Sequence, residues 1–295
     1  IQGCLFAIII CFLAAVYRYQ YSADTLEFFY GRFSVFHHAG YFAMYLNFAV
    51  AALIIKLFDS ENSKNKKVFY LVLLALFSLS IFLLASRAGI LIYLVIFSGT
   101  LFFLLYHKMY SRFLLVLAIA GTLTALVIGQ SGYTVSRIML MKESLSNSEK
   151  VDSYKDGRLY VWDASANVIK NNFLIGVGTG DVKDALKKEL NNLGYKRPAD
   201  LNLNSHNQYL QSAIALGVPS VILLIIIMLF PFILSIIKRY YLYAAFLIIM
   251  AISMLFESVL ETQAGVVFYA FFNSLLFFSM VNFNKKIPQS HQNIS

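Results

Sequence analysis

An all-α, polytopic membrane protein is the fold class that three features of the sequence predict. Apolar residues make up 59% of the 295 residues and charged residues only 13%, against about 45–50% and about 25% in soluble domains. The apolar residues gather into eight runs of the size a spanning helix needs, roughly 20 residues. These are Ile1–Tyr17, Phe36–Phe58, Val68–Ala85, Ala88–Tyr106, Phe113–Ile128, Tyr209–Ile237, Tyr240–Phe256 and Val266–Phe283. No stretch alternates apolar and polar residues with a period of two, so a transmembrane barrel is not expected.

The first run opens at Ile1 with no initiator Met and no basic segment before it, so it is not read as a signal peptide. The expectation is a fragment whose earlier spans are missing. Cys4 and Cys11 lie seven apart on this run, a spacing that suits neither a disulfide nor a metal, and are read as packing residues.

Charge placement orients the spans. Connections on one side carry Lys56, Lys64, Lys66, Lys67, Lys108, Arg112, Lys238, Arg239, Lys285 and Lys286, against Asp59 and Glu61. Short connections on the other side hold just three basic residues, Arg18, Arg32 and Arg87. Loops rich in Lys and Arg stay in the cytoplasm. The net charge of +9 is therefore a topology signal, and nucleic acid is excluded as a partner.

The predicted organisation is a five-span bundle over residues 1–128, an outer loop over 129–208, three spans over 209–283 and a cytoplasmic tail over 284–295. The loop carries eleven basic and nine acidic residues and is too long for an idle connection, so it is expected to fold on the membrane surface. In "GRLYVWDASANVIKNN" the spacing of Leu159, Trp162, Ala166 and Ile169 predicts a helix and its buried stripe. "GTGDVKDALKKELNNLG" predicts a second helix, with Asp181 as N-cap and Gly194 as stop. "GVGTGD" between them lacks the spacing of a dinucleotide loop and is read as a tight turn.

Polar residues of chemical interest collect on the outer side. Arg32, His37 and His38 precede the second span, Arg87 lies in the "ASRAG" turn, Arg158 and His206 belong to the loop, and Glu257 and Glu261 lie between the last two spans. Ionisable groups at a membrane boundary are costly and commonly mark a site. Each also has a plain reading: Arg87 as a snorkelling arginine, Arg158 as a partner of Asp156, and the histidines as interfacial residues. Glu257 and Glu261, read as sharing one helical face, would neutralise arginines. Asn204, Ser205 and Asn207 can cap the helix that follows. His206 is left over from such a reading, since a neutral imidazole can take a proton from a hydroxyl near pH 7. Arginines supply forked positive charge for phosphate oxygens. The set suits transfer from a membrane-anchored diphosphate. Neither an Asp-Asp pair nor an HxxxH motif marks a metal on this face.

The chain resembles the O-antigen ligase and O-antigen polymerase superfamily. The resemblance rests on "GRFSVFHHAGYFAMYL", "SRAG", "GRLYVWDASANVIKNNFLIGVGTGD", "NSHNQYLQSAIALGVPS" and "FESVLETQAGVVFYAFFNSLLFF", in that order around one large outer loop. The ligase pattern of a histidine, an Asn, Ser or Gln, and a later glycine is met by His206, Asn207 and Gly217. Ser220 stands where the family has Gly, Thr or Tyr. The resemblance implies a C-type glycosyltransferase fold (GT-C) in the bacterial cytoplasmic membrane, with the active site on the periplasmic face. It implies an undecaprenyl-diphosphate-linked glycan donor and an acceptor hydroxyl on a lipid or glycan of the cell envelope, such as lipopolysaccharide. The transfer would be inverting and independent of metal or cofactor. His206 would be the base and Arg32, Arg87 and Arg158 the diphosphate ligands, with Glu257, Glu261, Asn207 and His38 in support.

Three rivals are weighed. A polymerase would join repeat units to one another through the same chemistry. A transporter of lipid-linked sugars predicts polar residues at mid-membrane depth and internal repeats, and the spans here are mostly Leu, Ile, Phe and Val. A non-catalytic membrane scaffold leaves His206 and Arg87 without a role.

Overall fold

The computed structural model describes residues 1–118, 121 and 157–283. Helices account for all of the regular structure among these residues. The chain divides into two compact units, Ile1–Asp156 and Gly157–Ser295. Among the described residues six helices are long and apolar enough to cross a membrane: Gln2–Ser22, Ala39–Phe58, Lys64–Leu83, Arg87–Tyr106, Val218–Ile237 and Gln263–Asn282.

In the first unit the Ala39–Phe58 helix is the most buried of the spans. Small residues on it, including Ala39, Ala43, Ala49 and Ala51, are buried and let neighbouring backbones approach. A Cβ at Gly89 would sit 2.5 Å from that of Ala43. Beside this contact, buried Asn47 donates through Nδ2 to the carbonyls of Ala43 (2.8 Å) and Gly89 (3.0 Å). The pair is thereby fixed where the Arg87–Tyr106 helix begins. Cys11 is buried and both cysteines are free thiols, as the packing reading expects.

The second unit joins a small helical core to the last spans. Val161, Ala164 and Val168 of the Gly157–Asn171 helix meet Val182, Leu186 and Leu190 of the Val182–Asn192 helix. Ala199, Ile214 and Ala215 complete the core. The buried stripe thus runs one residue away from the predicted one: Leu159 is exposed and Ala166 faces outward, while Trp162 and Ile169 are only half-buried. The spacing located the helix, but two stripes of equal period were available and the one without a wide aromatic packs closer. Asp181 stands at the N-cap as expected, though its side chain makes no capping bond. Gly194, Gly176 and Gly178 all have positive φ (79°, 74° and 94°), so "GVGTGD" is a turn.

Two predicted spans differ. The Tyr209–Ile237 run is two helices, Gln208–Leu216 and Val218–Ile237, divided at Gly217 (φ 78°, ψ 172°). The first of them contributes Ile214 and Ala215 to this core, and its Gln208 and Gln211 are buried. Pro219 sits in the first turn of the second, where its missing N–H costs nothing. Tyr241–Phe256 is helical over 16 residues, about 24 Å at 1.5 Å per residue, short of a roughly 30 Å hydrocarbon core. The Phe113–Ile128 run is helical over 110–118 and at 121; its other residues lie outside the described ones, as do 129–156 of the loop and the 284–295 tail.

Candidate active site

The segment Leu203–Asn207 is not helical, and its polar side chains bind their own backbone. Asn204 Oδ1 accepts from the N–H of His206 (3.1 Å). Asn207 caps the Gln208–Leu216 helix, its Oδ1 accepting from the N–H groups of Tyr209 (2.9 Å) and Leu210 (3.1 Å). His206, between them, has φ 44°. A residue with a Cβ seldom takes this left-handed conformation, and such strain persists where the surroundings hold it.

Those surroundings can be named. Trp162 Nε1 donates to the carbonyl of Ser205 (2.9 Å). The buried hydroxyl of Ser205 lies 2.9 Å from both the Asn207 carbonyl and Gln211 Oε1, and 3.3 Å from Ser258 Oγ. Gln208 Oε1 accepts from the N–H of Leu260 (2.7 Å). The loop before one helix is thus tied to the Glu257–Leu260 segment that follows another.

Glu257 ends the Tyr241–Phe256 helix in extended conformation (φ −146°, ψ 151°). Its carboxylate bridges two predicted residues: Oε1 accepts from Arg158 Nη2 (2.9 Å) and Oε2 lies 3.1 Å from His206 Nδ1. The three side chains are 18–29% exposed, so the cluster is partly sheltered yet open to a ligand. An ionised carboxylate only accepts hydrogen bonds. Facing such a carboxylate Nδ1 is the donor, and Nε2 is the ring nitrogen that Glu257 does not engage.

Other predicted residues fall elsewhere. Glu261 lies in the Val259–Glu261 3-10 turn and is exposed, so the two glutamates share no helical face; the helix stops at Phe256 before a face can repeat. In the first unit, Arg32 Nη1 donates to Asp24 Oδ2 (2.8 Å) and Glu27 Oε1 (3.2 Å). The N–H of Leu26 donates to the Asp24 carboxyl and, with Arg32 beside it, holds it below the usual carboxylate range. His38 caps the Ala39–Phe58 helix, Nδ1 accepting from the N–H of Gly40 (3.3 Å) with Nε2 3.3 Å from the Tyr30 hydroxyl. His37 packs edge-on against Tyr45. Arg87 is the first residue of its helix, behind the N-cap Ser86, whose hydroxyl accepts from the N–H of Gly89 (3.3 Å). It is half-buried.

Sequence reasoning missed Ser258 and gave Ser205, Gln208, Gln211 and Trp162 no part in the site. Two glutamines within four residues of an otherwise apolar run were the available signal. Among the described residues, no three His, Cys, Asp or Glu side chains gather as metal ligands.

A sequence model of the O-antigen ligase family matches residues 70–225, just over half of the chain. The matched segment contains Arg87, Arg158 and His206; Arg32, His38, Glu257 and Glu261 lie outside it. No curated protein matches the chain. With its apolar helices and this match, the protein is a multi-pass membrane protein, and the chain belongs to the O-antigen ligase family.

Proposed function

We propose that the protein is a membrane glycosyltransferase that moves a glycan from an undecaprenyl-diphosphate-linked donor to an acceptor hydroxyl outside the cytoplasm. The observation that carries this reading is the Arg158–Glu257–His206 bridge. An imidazole held by a carboxylate at Nδ1 presents Nε2 as a base, the arrangement that carboxylate–histidine pairs use in other enzymes. In the proposed step the acceptor oxygen attacks the anomeric carbon from the face opposite the diphosphate. The new C–O bond forms as the bond to the diphosphate oxygen breaks, with inversion. The hydroxyl proton passes to Nε2 of His206, and undecaprenyl diphosphate leaves with its charge held by arginine.

Arg158 is proposed to contact that diphosphate, its guanidinium oriented by Glu257 and the remaining N–H donors of the fork suited to phosphate oxygens. Arg87 is proposed for the same task on its sidedness and its place in the matched segment. In this reading arginine supplies the positive charge and no metal or cofactor is required. Arg32, already facing two carboxylates, is a weaker candidate. Asn207 and His38 are proposed to act as helix caps, and Glu261 is assigned no direct chemistry. The proposal includes a GT-C type architecture with eight spans in the inner membrane of a bacterium, the 129–208 loop on the periplasmic side.

Incubation of the purified protein with lipid-linked oligosaccharide and candidate acceptors tests the reading. Gain of glycan mass by the acceptor supports it. Growth of the lipid-linked chain by whole repeat units marks the polymerase branch. Passage of intact donor across vesicles without transfer contradicts it.

A further inference from the structure

The loop Phe173–Gly178 links the two helices of the surface core, and it is pinned on both sides of its tip. The N–H of Val218 donates to the carbonyl of Phe173 (2.8 Å), and the N–H groups of Val177 and Gly178 donate to the carbonyls of Ile214 (2.8 Å) and Ala215 (2.9 Å). Two glycines permit this approach. A Cβ at Gly176 would sit 2.5 Å from the backbone of Ala215 and Leu216, and a Cβ at Gly217 would collide with the carbonyl of Leu174. The loop therefore cannot fold its side chains back toward that helix. Phe173, Leu174 and Ile175 are left 55%, 70% and 83% exposed.

Three consecutive exposed apolar residues on a rigid loop are costly in water. Their position identifies what covers them. Val218, bonded to Phe173, is the first residue of the Val218–Ile237 span. Twenty residues at 1.5 Å each make about 30 Å, the thickness of a hydrocarbon core, so Val218 stands at its edge. Lys238 and Arg239 at the far end mark the cytoplasmic side, which puts Val218 and the loop at the outer edge. The exposed apolar surface of the span begins one turn on, at Ile222 and Leu223, and Leu216 beside the loop is exposed as well.

We propose that Phe173–Leu174–Ile175 is an interfacial anchor that inserts into the outer leaflet of the bilayer. It ties the surface core, and with it the Gln208–Leu216 helix that follows His206, to a fixed depth at the headgroup level. The partner is the acyl-chain boundary of the lipid, reached by partitioning of apolar side chains, and the anchor does not depend on the transfer reading.

Spin labels in the full chain, reconstituted in phosphatidylethanolamine–phosphatidylglycerol nanodiscs, test it without any substrate. In a Cys4→Ala, Cys11→Ala background, nitroxides are placed singly at Leu174→Cys, Ile175→Cys and, as an aqueous control, Lys188→Cys. Labels at 174 and 175 are expected to collide more with oxygen than with a polar nickel complex, and the label at 188 the reverse. Collision at 174 and 175 dominated by the nickel complex overturns the anchor, as does exclusion of both reagents, which means another protein surface covers the loop. Should the cysteine variants fold poorly, Leu174→Trp with brominated acyl chains gives the same reading: added fluorescence quenched by bromolipid supports the anchor, and unquenched fluorescence overturns it. Neither result alters the test of transfer.

Discussion

Oε2 of Glu257 lies 3.1 Å from Nδ1 of His206 although 51 positions separate them in sequence. The other oxygen of the same carboxylate holds Arg158, 99 positions away. One side chain thus orients both the proposed base and a proposed diphosphate ligand, which makes Glu257 a positioning residue in the proposed reaction.

Glu257→Gln keeps size but replaces one acceptor with a donor, so imidazole and guanidinium lose their common anchor. Transfer is expected to fall about 10²-fold, the scale of a misplacement near the reacting atoms, with unchanged thermal unfolding in detergent. A variant that transfers at the wild-type rate contradicts the positioning role.

Arg158→Lys is expected to recover little of what Arg158→Ala loses. A lysine keeps the charge but offers no planar fork to a diphosphate or carboxylate. The same order is expected at Arg87, where Arg87→Ala reduces donor use about 10²-fold, comparable to deleting one donor to developing charge. Donor titration of each variant checks this; full activity in Arg87→Ala leaves Arg87 as a snorkelling side chain.

The crossing at Gly217 predicts a stability effect with an internal control. Gly217→Ala and Gly176→Ala force a Cβ into backbone at positive φ and are expected to destabilise by about 1–3 kcal/mol, the range for overpacking. Gly180→Ala meets open space and is expected to be nearly neutral. Equal unfolding temperatures for all three contradict the close approach.

The topology is checked by an impermeant thiol reagent added to intact cells. Lys188→Cys, on an exposed face of the Val182–Asn192 helix, is expected to react, and Lys66→Cys to be protected. Labelling of Lys66→Cys reverses the orientation.

What the sequence made legible follows from the physics of each feature. Long apolar runs act locally, so the helical class could be read directly. His206, Arg158 and Glu257 could each be singled out as costly polar groups at a membrane edge. Their union could not, because it depends on tertiary packing of segments far apart in the chain. The break at Gly217 was hidden by hydropathy, since Tyr209–Leu216 is apolar enough to merge with the next span although its Ile214 and Ala215 pack into the core of the second unit. Asn207 shows the reverse case: its capping role was evident from its place before an apolar helix, and the bonds to Tyr209 and Leu210 are those a cap makes.

The rate of glycan transfer by His206→Gln, set beside His206→Ala and the wild type, tests the central claim most directly. Glutamine keeps a hydrogen-bonding side chain of similar reach but takes no proton near neutral pH. If Nε2 of His206 is the base, both variants lose about 10²–10⁴-fold and retain donor binding. A Gln variant with substantial activity would contradict the account and leave His206 as a residue that positions the acceptor.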